Sequence, residues 1–123
     1  MNGYKTKDYG QPVKRYVQTM DLKADDELIR RYRETHDPQH FWAEIHDGIC
    51  SVGILEMEIY ILGNRLVMIV DAPVDFDWDS AMARLATLPR QAEWEAFVAQ
   101  FQQCSAEATS DEKWQMMERM FCL

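Results

Sequence analysis

A chain of 123 residues with 47% hydrophobic side chains can bury one real core but is too short for two domains. Its 21 acidic against 13 basic side chains leave a net charge of −8, which argues against a nucleic-acid partner and disfavours an anionic membrane surface. No apolar run approaches the roughly 18 residues of a spanning helix, and the N-terminus lacks the apolar stretch of a signal peptide. Three cysteines, Cys50, Cys104 and Cys122, with no CxxC pair read as buried thiols in a reducing compartment rather than as a disulfide frame or zinc site, so the expected location is the cytoplasm.

Residues 1–13 mix Gly, Lys, Asp and Pro and read as a loose polar tail ahead of a single domain, 14–123. Tyr16, Val17, Thr19 and Met20 mark a first strand over 15–22. Over 24–36 the stripe Leu28, Ile29, Tyr32 and His36 selects one helical face, with charge around the rest. Pro38 interrupts this pattern. Asp37 suits an N-cap and Pro38 the first position of a fresh helical segment, which sets Phe41, Trp42, Ile45 and Ile49 on one side.

The stretch 54–62 alternates Leu55, Met57, Ile59 and Ile61 with Glu56, Glu58 and Tyr60, and Gly63-Asn64 signals a two-residue hairpin turn. Residues 65–72 return as the partner strand. That loop length places Ile61 opposite Leu66, Ile59 opposite Met68 and Met57 opposite Val70, with Tyr60–Val67 and Glu58–Ile69 on the other face. A short helix over 77–88 is stopped by Pro89. A helix over 90–104 follows with the stripe Trp94, Phe97, Val98 and Phe101. A polar loop spans 105–111, and 113–123 reads as a last strand.

The resulting order defines an α+β chain, a ferredoxin-like βαββαβ antiparallel sheet with both helices on one face. With Met57, Ile59 and Ile61 under the helices, Tyr60, Leu62, Val67 and Ile69 remain on the far side. That is more apolar surface than a lone small domain leaves wet, so a homodimer is expected to cover it.

His36 carries the chemical interest. An inward imidazole beside a phenol one turn away can move protons near neutral pH, and the break at Pro38 opens a pocket mouth. The bland reading is a core-edge histidine bonded to a carbonyl. Trp42 and Trp94 sit on apolar stripes and suit core packing; with Tyr32 they also offer flat walls for the C–H face of a sugar. His36, His40 and His46 invite a metal reading, but Pro38 spoils the helical spacing and no further ligand completes a pattern. No phosphate loop, nucleophile elbow or nucleotide fingerprint is present, and no cofactor is expected.

Several segments resemble the L-rhamnose mutarotase family, and more closely its branch associated with L-fucose. They are the first strand from Lys14 to Leu22, the pair Tyr32-xxx-His36, and the run Phe41-Trp42-Ala43-Glu44-Ile45. The hairpin from Glu56 to Ile69, Glu93-Trp94-Glu95, and Lys113-Trp114-Gln115-Met116-Met117-Glu118 closing on Phe121 complete the set. The resemblance implies a dimeric α/β-barrel type of fold, paired through its sheets, and an isomerase that interconverts the α and β anomers of a 6-deoxy-L-hexose. It implies His36 as proton donor, with Tyr32 and Trp94 against the sugar; Trp42 is counted with them as a substrate-binding wall on the strength of its aromatic face alone. The first of a family tryptophan pair is Glu93 here, and Met57 replaces a sugar-contacting tyrosine. Two extra residues separate His36 from Trp42, and Ala43 stands where proline is usual. The same architecture hosts small monooxygenases and haem-handling proteins, and a non-catalytic binding module is the blander alternative.

Overall fold

Alternation along the hairpin decides the sheet. In the computed structural model, which describes residues 1–105 and 107–123, β2 (Glu56–Leu62) and β3 (Arg65–Pro73) pair with Ile61 opposite Leu66, Ile59 opposite Met68 and Met57 opposite Val70, as their spacing predicts. The loop between them turns at Gly63, whose φ of 61° is a value that glycine adopts without cost. β1 (Val13–Asp21) lies antiparallel to β3, and β4 (Gln115–Met116) antiparallel to β1, giving the order β2-β3-β1-β4. This is the ferredoxin-like antiparallel sheet.

Helices follow β1 and β3: α1 (Asp26–Thr35), α2 (Ala43–Ser51), α3 (Trp78–Leu85), α4 (Gln91–Ala99) and the short α5 (Ser110–Lys113). Leu66, Met68 and Val70 of β3 are 1%, 3% and 0% exposed and meet Ile45, Leu85, Trp94, Val98 and Phe101 of the helical layer. Each such buried aliphatic contributes about 1.5–3 kcal/mol. A one-residue slip would turn the whole row outward, so the core fixes the register.

α1 is capped by Asp25, whose carboxylate accepts from the Leu28 N–H at 2.9 Å, and Asp26 and Glu27 complement its positive end. It ends at Thr35, so His36 is its C-cap. The segment after Pro38 is a turn rather than the start of a helix. Asp37 does accept two N–H bonds, from Gln39 and His40 at 2.9 and 3.0 Å. Trp42 is extended, however, with φ −69° and ψ 125°, and α2 begins only at Ala43.

Two further elements are shorter than their patterns suggest. α4 stops at Ala99 because the backbone beyond it serves the end of β1: Lys23 N–H donates to the Phe101 carbonyl at 2.9 Å and Gln103 N–H to the Asp21 carbonyl at 3.1 Å. The expected final strand over 113–123 keeps two residues. Its first position belongs to α5, which a capping box between Thr109 and Glu112 opens. After Met117 N–H donates to the Val17 carbonyl at 2.7 Å the chain leaves the sheet, and Met120, Phe121 and Leu123 stand exposed. The polar loop over 105–111 includes residue 106, which lies outside the described residues.

The segment before β1 has no regular secondary structure, yet it is not loose. Tyr9 donates its hydroxyl to Asp71 at 2.5 Å, Lys7 donates to the Leu55 carbonyl at 3.1 Å, and Tyr4 meets Tyr60 edge-on at 5.8 Å. Asp71 also takes a bidentate pair from Arg15, at 2.7 and 2.9 Å.

Candidate functional site

A cavity of about 410 Å³ opens between β2 and the helices, within the range of about 300–1,000 Å³ typical of small-molecule sites. α1 contributes Tyr32 and His36, α4 contributes Gln91, Trp94 and Glu95, and Phe41, Met57 and Trp114 complete much of the wall. Lys7 stands at the edge, bonded to the Leu55 carbonyl and 3.5 Å from the Glu56 carboxylate.

His36 is held by the turn it closes. Its Nδ1 lies 3.1 Å from the Tyr32 carbonyl and 2.7 Å from Thr35 Oγ1, and the Thr35 hydroxyl itself donates to the Tyr32 carbonyl at 2.6 Å. A carbonyl accepts only, and the Thr35 proton is already engaged, so this network assigns the ring hydrogen to Nδ1. Nε2 has no protein partner among the described residues. Burial pushes the imidazolium below its ordinary pKa of 6.5, partly offset by the Tyr32 carbonyl. The bland reading is met, since the ring bonds a backbone carbonyl, and the ring also lines the cavity.

Tyr32 is 4% exposed, packs against the His36 ring at 4.5 Å between centroids, and accepts from Gln102 Nε2 at 3.4 Å. Burial raises its pKa well above the ordinary value, so it works as a neutral hydroxyl. Trp94 closes the group, meeting His36 edge-on at 5.5 Å and Phe41 at 5.2 Å.

Trp42 departs from the expectation. It is not among the cavity residues; it stacks on Phe97 at 5.4 Å, meets Trp94 edge-on at 5.2 Å, and carries the Arg90 guanidinium over its ring at 4.1 Å. Because Trp42 caps α2 in an extended conformation, its ring lies behind Trp94 and braces it. Glu93 points elsewhere too, paired with Arg90 at 2.6 Å, whereas Met57 does line the cavity. His40 is exposed and pairs with Asp37 at 2.7 Å; His46, also exposed, sits 3.2 Å from Asp47. Among the described residues no three His, Cys, Asp or Glu side chains gather as a metal site would require.

Sequence reasoning missed the polar floor. Glu95 is 8% exposed, accepts from Gln91 at 3.1 Å, and pairs with the fully buried Lys113 ammonium at 2.9 Å. The available signal was a Gln91-xxx-Glu95 pair, one turn apart, on the same helix as Trp94 and Val98. The Lys113 contact, made from α5 across 18 residues, left no trace in local pattern. The site as built combines an imidazole, a neutral phenol, aromatic walls and a buried carboxylate. Such a set suits acid–base chemistry on a small neutral molecule.

The model of the L-rhamnose mutarotase family matches residues 15–123. The L-fucose mutarotase of Xanthomonas campestris pv. campestris is 35% identical over 111 residues, covering 90% of this chain and 89% of that protein. A UPF0734 protein of Dictyostelium discoideum is 37% identical over 91 residues, covering 73% and 71%. The crystal structure of an L-rhamnose mutarotase from Formosa agariphila superposes with a TM-score of 0.66 at 21% identity, over 89% of this chain and 98% of that one, which speaks for the fold.

Proposed function

Since the chain belongs to the L-rhamnose mutarotase family, we infer that it is a carbohydrate isomerase that interconverts the α and β anomers of a 6-deoxy-L-hexose, L-fucose or L-rhamnose. The reaction opens the pyranose when a base takes the anomeric hydroxyl proton and an acid protonates the ring oxygen. The aldehyde then rotates, and the ring closes on its other face. It needs no redox cofactor and no covalent adduct.

The observation that carries this reading is the His36 imidazole, fixed through Nδ1 by the Tyr32 carbonyl and set into a sugar-sized cavity beside Tyr32 and Trp94. As imidazolium, His36 donates to the ring oxygen. Tyr32 orients a hydroxyl, and the Trp94 indole packs against the C–H face of the ring. L-fucose is the first sugar to try, given the 35% identity to the Xanthomonas enzyme.

Two features of the surroundings belong to the same proposal. A second copy of the chain covers the outer sheet strip of Val17, Tyr60, Val67 and Ile69, which the register sets side by side on one face. The protein works in the cytoplasm, where Cys50 and Cys122, exposed rather than buried as expected, and the half-buried Cys104, all free thiols, stay reduced. No helix among the described residues is long and apolar enough to cross a membrane.

Saturation-transfer NMR on L-fucose and L-rhamnose tests the activity. The protein is expected to speed anomer exchange, and His36→Ala to remove the acceleration by about 10² to 10⁴ while circular dichroism stays unchanged. An unaltered rate in that variant removes His36 from the mechanism. No acceleration on any deoxyhexose would favour a binding module.

A further inference from the structure

Ring opening moves two protons, and His36 accounts for one. The anomeric hydroxyl must surrender the other to a group in the same cavity. Two carboxylates line this cavity: Glu56, at the edge beside Lys7 with its side chain 35% exposed, and Glu95, on the helix that carries Trp94, which is unlike a solvated surface acid. It is 8% exposed, with Oε1 bonded to Gln91 at 3.1 Å and Oε2 to Lys113 at 2.9 Å. The Lys113 ammonium is fully buried and also holds the Glu95 backbone carbonyl at 2.6 Å. A carboxylate offers about four acceptor positions, of which these contacts use two, leaving the pair free for a ligand.

We propose that Glu95 is the second catalytic residue, the carboxylate that accepts the proton of the anomeric hydroxyl while His36 protonates the ring oxygen. The proposal rests on the mutarotase reading and supplies its missing base. In the forward step the O1–H bond breaks and its proton passes to Glu95. The C1=O1 bond forms as C1–O5 breaks, and O5 takes the proton of the imidazolium. After rotation about C1–C2, O5 returns its proton to His36 and attacks C1 from the other face, while O1 recovers its proton from Glu95. Nothing is oxidised or reduced, and both side chains end as they began.

A merely structural ion pair is the competing account, and the surroundings speak against it. Burying two opposite charges contributes little net stability compared with an apolar pair of the same shape, so a core with no chemical task gains little from Glu95 and Lys113. The groups bonded to Glu95 are Gln91 from its own helix and Lys113 from α5; the Tyr32 hydroxyl and the Cys104 thiol lie near enough to feel its charge and bond to Gln102 instead. Burial dominates over the Lys113 charge and raises the Glu95 pKa above that of an ordinary carboxyl, which brings the base nearer to the working pH.

The test separates pairing from chemistry. In the double variant Glu95→Gln with Lys113→Met no buried charge is left unpaired, so the thermal midpoint is expected to stay near that of the wild type. Anomer exchange on the better of L-fucose and L-rhamnose should still fall by about 10² or more. In Glu95→Asp the ion pair can re-form but the carboxylate retracts by one methylene, and kcat should drop at least about tenfold with KM little changed. The acid limb of the wild-type pH profile, where Glu95 becomes protonated, should be absent from the double variant. Near wild-type exchange in the double variant, or in Glu95→Asp if the double variant does not fold, makes Glu95 a structural partner of Lys113 and overturns the proposal. In that case wild-type acceleration, and its loss in His36→Ala, leave the mutarotase reading standing. If the wild type accelerates no deoxyhexose, both fall together.

Discussion

The two faces of β3 are finished in different ways. On the inner face Leu66, Met68, Val70 and Ala72 are at most 3% exposed, covered by helices of the same chain. The cavity opens in that cover, and polar side chains gather around it. On the outer face the N-terminal segment closes one end, where Asp71 is 2% exposed beneath Tyr9 and Arg15. Beside that polar clamp, Val67 and Ile69 are half-buried and Leu62 is 85% exposed. An apolar row that its own chain completes makes a core; an apolar row left open calls for a second molecule.

Truncating the two faces should separate these roles. Leu66→Ala is expected to cost about 2–5 kcal/mol in urea unfolding, because the helices above it cannot collapse into the space. Val67→Ala should cost within about 0.5 kcal/mol in the isolated chain. If the proposed dimer forms through this strip, Ile69→Lys should leave the chain folded but monomeric in light scattering, with a thermal midpoint independent of concentration. If Ile69→Lys assembles like wild type, the outer strip is not the dimer face.

The next effect concerns the cavity. Burial lowers the His36 pKa below 6.5, so the charged donor is populated on the acid side of that value and depleted above it. The rate of anomer exchange should therefore fall about tenfold per pH unit above the lowered pKa, as read from saturation transfer between pH 5 and 8. A rate that keeps rising to pH 8, beyond the acid limb set by Glu95, would make the neutral ring, with its free Nε2, the base instead. The smallest effect is at the clamp. Tyr9→Phe should lose about 0.5–1.5 kcal/mol. In wild type, burial and Asp71 push the Tyr9 pKa up to about 12, so the set of tyrosines that titrate late in the ultraviolet, which also holds the buried Tyr32, should shrink by one in Tyr9→Phe.

Elements governed by local periodicity were legible. The hairpin, its register and the inward pairing of Tyr32 with His36 all follow from spacing within one strand or one helical turn. What escaped depends on contacts distant in sequence. Lys113 reads as a strand residue until the capping box of Thr109 and Glu112 is noticed, and its partner Glu95 falls outside the apolar stripe of Trp94, Phe97, Val98 and Phe101 by which that helix is read. Trp42 and Trp94 share the same apolar signature, yet one lines the cavity and the other braces it from behind, because the backbone at Trp42 is extended. The N-terminal residues carry no periodic pattern, so their three separate side-chain anchors could not be inferred.

His36 closes α1, with its N–H on the Arg33 carbonyl at 3.2 Å, so the imidazole sits at the negative pole of the helix macrodipole. That pole favours the protonated ring, in opposition to burial. Substitutions at the solvent-facing Arg33 and Glu34 of this last turn can therefore tune the working pH of the site from outside, leaving the walls that choose the sugar as they are. Acidity and selectivity are thereby open to separate adjustment, by evolution or by design.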